Sequence, residues 1–359
     1  MDRRELLQWM NLNLLFSRLN NMNNAMNRMK ASQIGIFLVI VMIICGSWGF
    51  LVHRTIHQLA VYELPNEIRP FFYKNIEKIV ADAPRPDQRR NTDSTEAPKH
   101  FIDLEMYGED AAHNMPFDWQ KAVKQYSKDS LEKYGYVPYH VIYMKYKLTE
   151  AFKQKNKDSI LFYAADIGHY IGDAHVPLHT TVNYDGQLTN QKGLHSLWES
   201  MIPELEIDQY QLYSSHKATY LKDPAAAIWK AVRTGFAMVP EMLAKETEVS
   251  KNFTEATKYR VQIRRGRESK NYSTAFAKAY AASLKPSINQ RLLQSADLIA
   301  DFWYTAWVDA GKPDLKNITT NWTETDQQQL NKELELFKKN ELLKQQLLIS
   351  RKQQQQENN

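Results

Sequence analysis

Residues 169–179 read HYIGDAHVPLH and close an amphipathic stretch that begins near residue 158. In that stretch apolar side chains recur every three or four positions, the period of an α-helix that buries one face. Residues four apart share a helix face, so His169 and Asp173 should lie together. Pro177 should end the helix, because proline disfavours helical backbone in the residue before it. The sequence therefore predicts a helix whose last turns present a pair of metal-type ligands.

The same helical period recurs along most of the chain, for example in residues 141–154 and 287–309, and no long alternating strand pattern appears. Glycine makes up 12 of 359 residues, about 3% against a usual share of roughly 7%. So little glycine disfavours barrels, sandwiches and Rossmann sheets. With 43% hydrophobic residues, the chain can fill a large core. We predict an all-α fold with a single multi-helix domain.

Composition divides the chain into three predicted parts. Residues 1–47 form an amino-terminal extension and signal peptide, and residues 48–315 form the helical domain. Residues 316–359 are rich in Gln, Lys, Glu and Leu, which predicts a helical carboxy-terminal extension. We expect this extension to pack on its own domain, because its heptads are too few for a coiled-coil seam.

The apolar run at residues 34–44, IGIFLVIVMII, is too short to span a bilayer and is typical of a signal peptide. Small residues at Cys45 and Ser47 fit cleavage before Trp48. A start at Met29 gives an ordinary signal sequence, so we expect the residues before it to be an overcalled start or a dispensable extension. We predict export to the periplasm or the cell exterior; the alternative is an uncleaved signal-anchor that tethers the chain to a membrane.

Cysteine and charge counts narrow the chemistry further. The single cysteine lies in the segment expected to be removed, so neither a disulfide framework nor a thiolate zinc ribbon is available. Any metal must then be held by histidines and carboxylates. Removal of residues 1–47 leaves 41 basic and 39 acidic residues. Because the remaining chain is nearly neutral, its overall charge does not indicate an extended surface for binding a polyanion such as nucleic acid.

Two further groups of residues strengthen the metal prediction. His195 and Glu199 form a second pair four residues apart, and His179, just after the proline, can turn toward a second ion. After cleavage, Trp48 would offer its amine and carbonyl to a metal while His53 supplies an imidazole.

Upstream, the motif His100-Phe-Ile-Asp103 and the residue His140 each place a ligand where a turn meets a helix. Taken alone, each of these is a weak signal.

Together these motifs resemble the zinc-dependent phospholipase C and single-strand-specific zinc nuclease superfamily over residues 48–312. The resemblance rests on a terminal Trp, a His soon after, HFxD, a His near a helix start, HxxGDxxxPxH and HxxxE. It implies an all-α fold with three zinc ions in one cleft, and no ligand role for His57, His100, His113, His175 and His216. By position it implies one zinc on Asp103, His140, His169 and Asp173, a second on His179, His195 and Glu199, and a third on Trp48, His53 and Asp173.

The resemblance also implies hydrolysis of phosphodiesters by a metal-activated water, with Asp103 and Asp173 in catalytic roles. Asp103 is either a ligand or the residue that orients the water. The spacing from Trp48 to His53 resembles the nuclease branch, whereas Glu199 in place of an aspartate resembles the phospholipase branch. We therefore expect a nuclease or 3′-nucleotidase, with phospholipase C as the alternative and a non-catalytic helical metal-binding or interaction protein as the contrasting class.

The expected partners follow from these alternatives. The substrate would be single-stranded nucleic acid, a nucleotide or a phospholipid, the last with transient membrane contact, and no obligate protein partner is evident. Tyr139, Tyr184 and Trp198 are candidates for stacking on a base or an acyl glycerol, with core packing the alternative role for each.

Overall fold

The stretch that carries the HYIGDAHVPLH motif forms a 19-residue helix, Lys157–His175, as predicted. Asn156 caps its start, since the Asn156 side chain accepts a hydrogen bond from the backbone N–H of Ser159 at 3.0 Å. The helix ends at the predicted place, just before Pro177, and the next residues form a short 3₁₀ turn, Pro177–Thr180. Local sequence therefore sets both ends of this element.

The computed structural model describes residues 50–264, 267–284 and 286–358 of the chain. Helices dominate the first half of this part of the chain. They are α1 (Phe50–Glu63), α2 (Arg69–Lys74), α3 (Ile76–Asp82), α4 (Arg85–Arg89), α5 (Ala111–Asn114), α6 (Trp119–Tyr126), α7 (Lys128–Tyr134), α8 (Val137–Lys153) and α9 (Lys157–His175).

The second half adds helices and one antiparallel β-hairpin. In chain order the elements are α10 (Leu194–Ser196), a π-helical turn (Leu197–Met201), α11 (Ile202–Glu206), α12 (Pro224–Ser250), α13 (Glu255–Lys258), β1 (Tyr259–Arg264), β2 (Arg267–Tyr272), α14 (Thr274–Leu284), α15 (Ser287–Asp309), α16 (Glu324–Lys338) and α17 (Ile349–Asn358). The predicted all-α class is confirmed, and the hairpin is a small addition that helical periodicity did not predict.

Helix α9 lies at the centre of the fold. Helices α1, α3, α8, α12 and α15 all contact it, and every residue from Ala164 to His175 is buried. Trp303 of α15 donates its indole N–H to the carbonyl of Ala164 at 3.0 Å and stacks on Phe72, with ring centroids 4.7 Å apart. Polar ligand-type residues on α9 are thus surrounded by packed helices rather than by solvent.

The carboxy-terminal segment packs against α1. The hydroxyl oxygens of Ser350 and Thr55 are 2.9 Å apart, and Gln58 bonds the backbone at both Leu347 and Ile349. Leu348 is buried in the core cluster that also contains residues of α1. The segment beyond residue 316 therefore contributes to the packing of the amino-terminal helix.

Some of the sequence predictions fall on residues outside this description. The signal peptide, its cleavage site and Trp48 all lie outside the described residues. Among the residues that are described, no helix combines the length and apolar character needed to cross a membrane.

Candidate metal centre

The centre is built on the pair that the helical spacing predicts. His169 and Asp173 lie one turn apart on α9, with His169 Nε2 3.3 Å from Asp173 Oδ2. Both side chains are buried. A buried carboxylate beside an imidazole nitrogen needs a compensating positive charge or proton. This pair therefore favours a bound cation.

Asp87 of α4 and His100, from the segment between α4 and α5, complete this first group. His100 Nδ1 lies 2.8 Å from Asp173 Oδ2 and 3.1 Å from His169 Nε2. Asp87 Oδ1 lies 3.7 Å from His100 Nδ1 and 3.8 Å from His169 Nε2. The first group therefore consists of Asp87, His100, His169 and Asp173, two imidazoles and two carboxylates, as suits a tetrahedral zinc site.

Hydrogen bonds behind the imidazoles fix which nitrogen faces the group. His169 Nδ1 is 3.0 Å from the carbonyl of Ala83, and His179 Nδ1 is 2.7 Å from the carbonyl of His100. A carbonyl can only accept, so these Nδ1 atoms carry the proton and each Nε2 keeps its lone pair for a ligand. This arrangement is usual for histidines that bind a metal.

The second group gathers on the segment around α10. His195 Nε2 is 2.6 Å from Glu199 Oε2 and 2.9 Å from His179 Nε2. His195 belongs to α10 and Glu199 to the π-helical turn that follows. The predicted pair of ligand-type residues therefore comes together across a change of helix type. Three ligand atoms of these residues lie within 4.8 Å of one another, close enough to share one ion.

His53 on α1 links the two groups. Its Nε2 lies 3.4 Å from Asp173 Oδ1 and 3.5 Å from Glu199 Oε1. Its ring stacks on that of His169, with centroids 4.1 Å apart and 22° between the planes. Ligand atoms of His53, His169 and Asp173 also lie within 4.8 Å of one another, close enough to share one ion. Asp173 therefore faces His100 and His169 with one oxygen and His53 with the other.

The donor set fits divalent metal. His53 Nδ1 and His100 Nε2 are buried without a hydrogen-bond partner, and the cluster presents imidazole nitrogens and carboxylate oxygens with no thiolate among the described residues. These are ligands that zinc accepts. Behind the His100 ring, Glu96 Oε1 lies 3.5 Å from Nε2, placed to fix the orientation of that imidazole.

The pKa shifts show how strongly this cluster favours positive charge. Burial disfavours ionisation of Asp173, but the imidazoles of His169 and His179 hold the pKa of its carboxyl well below the usual range. Burial likewise disfavours charge on His179, yet Asp173 and Glu199 raise its pKa to about 9. The carboxylates of Asp173 and Glu199 thus stay ionised, and a proton on His179 supplies positive charge beside them.

The structure does not bring His140, which the family resemblance makes a zinc ligand, into these groups. His140 lies in the first turn of α8, where its ring packs on Tyr170 at a centroid distance of 4.5 Å. The Tyr170 ring in turn packs on His100 at 5.3 Å. Burial, with Lys99 nearby, lowers the pKa of His140 to about 3, so this imidazole is neutral within an aromatic layer.

Asp103 also lies outside both ligand groups and outside the cluster of His53, His169 and Asp173, although it lies near them. Its half-buried carboxyl interacts electrostatically with Glu105 and His179. Burial, followed by the charge of Glu105, raises the pKa of Asp103 to about 6. Such a carboxyl can exchange a proton near neutral pH.

Sequence reasoning gave no ligand role to Asp87 and His100, which the structure places beside His169. Asp87 follows the break Pro84-Arg85-Pro86, a turn signal that separates it from the helical pattern. In the HFxD motif, the histidine lies next to Asp173, whereas Asp103 lies outside the groups. Among the remaining histidines, buried His57 and His175 bond backbone carbonyls.

Of the three aromatic stacking candidates, Tyr139 and Trp198 are buried core residues. Tyr184 is 54% exposed. It lies in the loop that leads into His195.

Known proteins offer a structural neighbour and a matching family model. A solved structure of the alpha toxin from Clostridium absonum is similar at 15% sequence identity and a TM-score of 0.43, over 74% of this chain. The chain spans 65% of the length of that toxin. The search of curated proteins gave no match. The S1/P1 nuclease family model matches residues 48–302, which confirms the resemblance to the zinc nuclease and phospholipase C superfamily. The chain therefore belongs to the S1/P1 nuclease family.

Proposed function

We propose that the protein is an exported, zinc-dependent nuclease that hydrolyses phosphodiester bonds in single-stranded nucleic acid or nucleotides. The observation that carries the proposal is the position of Asp173. Its Oδ2 faces His100 and His169, at 2.8 and 3.3 Å, while its Oδ1 faces His53 at 3.4 Å. A carboxylate with ligand nitrogens on both oxygens is suited to bridge two metal ions.

The ligand sets differ from those that the resemblance implies. One zinc would be held by Asp87, His100, His169 and Asp173, and a second by His179, His195 and Glu199. A third would use His53 and Asp173, with the amine and carbonyl of Trp48 after cleavage. Zinc bound in such clusters supplies an activated water and offsets charge on the phosphate oxygens.

Asp103 is our candidate for the proton-handling residue. With a pKa of about 6, its carboxyl is partly protonated near neutral pH and can orient a water or donate a proton to the leaving oxygen. Its neighbour Glu105 is tied to the loop after His179, because Thr181 Oγ1 donates to Glu105 Oε1 at 2.5 Å. These contacts hold the Asp103 segment next to the second ligand group.

The proposal is tested on the chain from Trp48 onward, loaded with zinc. Single-stranded nucleic acid, bis-p-nitrophenyl phosphate and phosphatidylcholine are offered in parallel, and we expect hydrolysis of the first two. The double variant Asp173→Asn/His179→Ala should lose both activities, whereas His140→Phe, outside the ligand groups, should keep them.

Other outcomes assign other functions. Hydrolysis of phosphatidylcholine alone would make the protein a phospholipase C. Zinc binding with no hydrolysis of any substrate would indicate the non-catalytic class. Activity that survives in the double variant would contradict the proposed site.

Export is the second part of the proposal. Family membership and the apolar run before Trp48 support it, since that run is typical of a signal peptide. Amino-terminal sequencing of the exported protein should give Trp48 as the first residue. Any other first residue would remove the terminal amine from the third zinc.

A further inference from the structure

The β-hairpin is the most strongly charged short segment of the described chain. Residues 258–272 read KYRVQIRRGRESKNY and contain six basic residues and one acidic residue. The chain from residue 48 onward is nearly balanced, with 41 basic and 39 acidic residues. The positive charge is therefore concentrated on this hairpin.

The base of the hairpin is anchored next to the metal centre. Tyr259 pairs with Tyr272 in the antiparallel register, and both are buried. The Tyr272 hydroxyl lies 3.1 Å from the carbonyl of Gln191 and donates to Glu246 Oε1 at 2.9 Å. Gln191 is four residues before the ligand His195, so the loop that delivers this ligand also supports the hairpin.

Two of the basic residues of the hairpin already form ion pairs with carboxylates of the same protein. Lys258 is buried and pairs with Glu246 at 2.7 Å, and Lys270 pairs with Glu255 at 2.6 Å. Arg260 is exposed, and Arg264 pairs with Arg267 in the register, away from the tyrosine end. The sequence therefore adds arginines toward the turn of the hairpin to the exposed Arg260.

We propose that this hairpin binds the phosphate backbone of a single-stranded nucleic acid and guides it to the metal centre. This inference rests on the proposed nuclease function and adds a binding element away from the reacting bond. Six strand residues extend about 20 Å, so the hairpin can contact several successive phosphates. Arginine suits this role because its planar guanidinium bonds phosphate oxygens in a bidentate manner.

The neighbouring loop carries an exposed aromatic side chain, which favours a nucleic acid over a lipid surface as the partner. Tyr184 is 54% exposed and lies in the same loop as Gln191, the loop that leads into His195. Exposed aromatic rings beside a basic surface are typical of proteins that bind single strands, where bases stack and phosphates pair with cations.

The test compares charge-matched variants of the zinc-loaded chain. The hairpin variant is Arg260→Gln/Arg264→Gln/Arg267→Gln. The control variant removes the same number of charges from exposed positions of the carboxy-terminal segment, as Lys332→Gln/Lys339→Gln/Lys344→Gln. A third variant with lysine at the three arginine positions keeps the charge. Circular dichroism checks that all are folded.

Binding is measured by fluorescence anisotropy with a labelled single-stranded phosphorothioate oligonucleotide, at several salt concentrations, with its integrity checked on gels. We expect the hairpin variant to bind at least about tenfold more weakly at low salt, with a salt slope reduced by about 2, since each neutralised phosphate contributes about 0.7. The control variant should bind like the wild type, and the lysine variant should bind more tightly than the glutamine variant but more weakly than the wild type, because it keeps the charge without the bidentate guanidinium. Hydrolysis of bis-p-nitrophenyl phosphate should be equal in all of them.

Equal loss of binding in the control variant, or unchanged binding in the hairpin variant, would overturn the proposal. So would hairpin-dependent binding to phosphatidylglycerol vesicles without hairpin-dependent binding to the oligonucleotide. Hairpin-dependent oligonucleotide binding in a chain that hydrolyses none of the substrates would support this inference while the proposed function failed, so the two are separable.

Discussion

His100 Nδ1 lies 2.8 Å from Asp173 Oδ2, although the two residues are 73 positions apart in the chain. Through this contact the loop that carries the HFxD motif reaches the central helix α9. His100, rather than the predicted ligand His140, lies within hydrogen-bond distance of both His169 and Asp173.

The first prediction separates these two histidines by their effect on bound metal. We expect His100→Ala to lose about one zinc ion per chain, because one imidazole is removed from a four-residue ligand set. His140→Phe should keep the full metal content, since that ring fits among the aromatic side chains around Tyr170. Metal analysis of dialysed protein by mass spectrometry gives the ratio. Loss of zinc in His140→Phe with full zinc in His100→Ala would restore the original assignment.

Sequence spacing predicts the parts of the centre that lie within one element. His169 and Asp173 share a helix, and the His195–Glu199 pair forms even though a π-helical turn follows α10. Such pairs depend only on the helical period, which the amino-acid pattern reveals. The central helix and its end at Pro177 follow from the same local rules.

Sequence spacing does not predict contacts that depend on how loops and helices pack. His100 and His140 both sit where a turn meets a helix, and nothing in the local pattern shows which side of Tyr170 each would occupy. Asp87 lies in the five-residue helix α4, which follows a proline-rich break and is too short to show a helical period in the sequence. The hairpin was also missed, because its strands are only six residues long.

The second prediction concerns the close approach of α9 to α1. A Cβ atom added at Gly168 would lie 2.3 Å from His57 Nε2, and the His57 ring is held between the carbonyls of His53 and Ala165. We expect Gly168→Ala to destabilise the protein by about 1–3 kcal/mol, as overpacked cores do. Urea unfolding of the zinc-loaded protein measures the change in free energy.

Gly235→Ala is the matched control. This glycine also lies in a helix, but an added Cβ would meet its nearest neighbours at 3.5 Å, an ordinary contact. We expect it to be neutral or to stabilise the protein by about 0.5–1 kcal/mol, because alanine favours the helix. A similar loss of stability in both variants would show that the packing against His57 is not the cause.

The third prediction tests the carboxy-terminal segment as a support for α1. Leu348 is 1% exposed, so Leu348→Ala should cost about 2–5 kcal/mol. Lys352 is exposed in the same segment, and Lys352→Ala should change stability by less than about 0.5 kcal/mol. Because Gln58 of α1 bonds the backbone of Leu347, the Leu348 variant should also release zinc at a lower chelator concentration. Equal midpoints of thermal unfolding for the two variants would argue against this support.

The fourth prediction concerns a buried acid away from the metal centre. Glu63 is 3% exposed, and neither carboxyl oxygen has a hydrogen-bond partner. Burial, followed by the charge of Asp297, raises the pKa of Glu63 well above its usual range. The folded protein therefore keeps this carboxyl protonated at pH values where the unfolded chain ionises it, above about 4.3.

The sign of the pH effect follows from this difference in proton binding. Between the unfolded and folded pKa values the folded state holds more protons, so stability falls as pH rises. Its contribution is fully present below the unfolded pKa and is lost as pH rises through the folded pKa. A permanently neutral Glu63→Gln should lose less stability than the wild type between pH 5 and 8, by up to about 1.4 kcal/mol per pH unit of that window. Glu67→Gln, at an exposed position four residues away, should follow the wild-type profile. Urea unfolding at several pH values measures all three proteins, and parallel profiles for Glu63→Gln and the wild type would mean that Glu63 is ionised in the folded state.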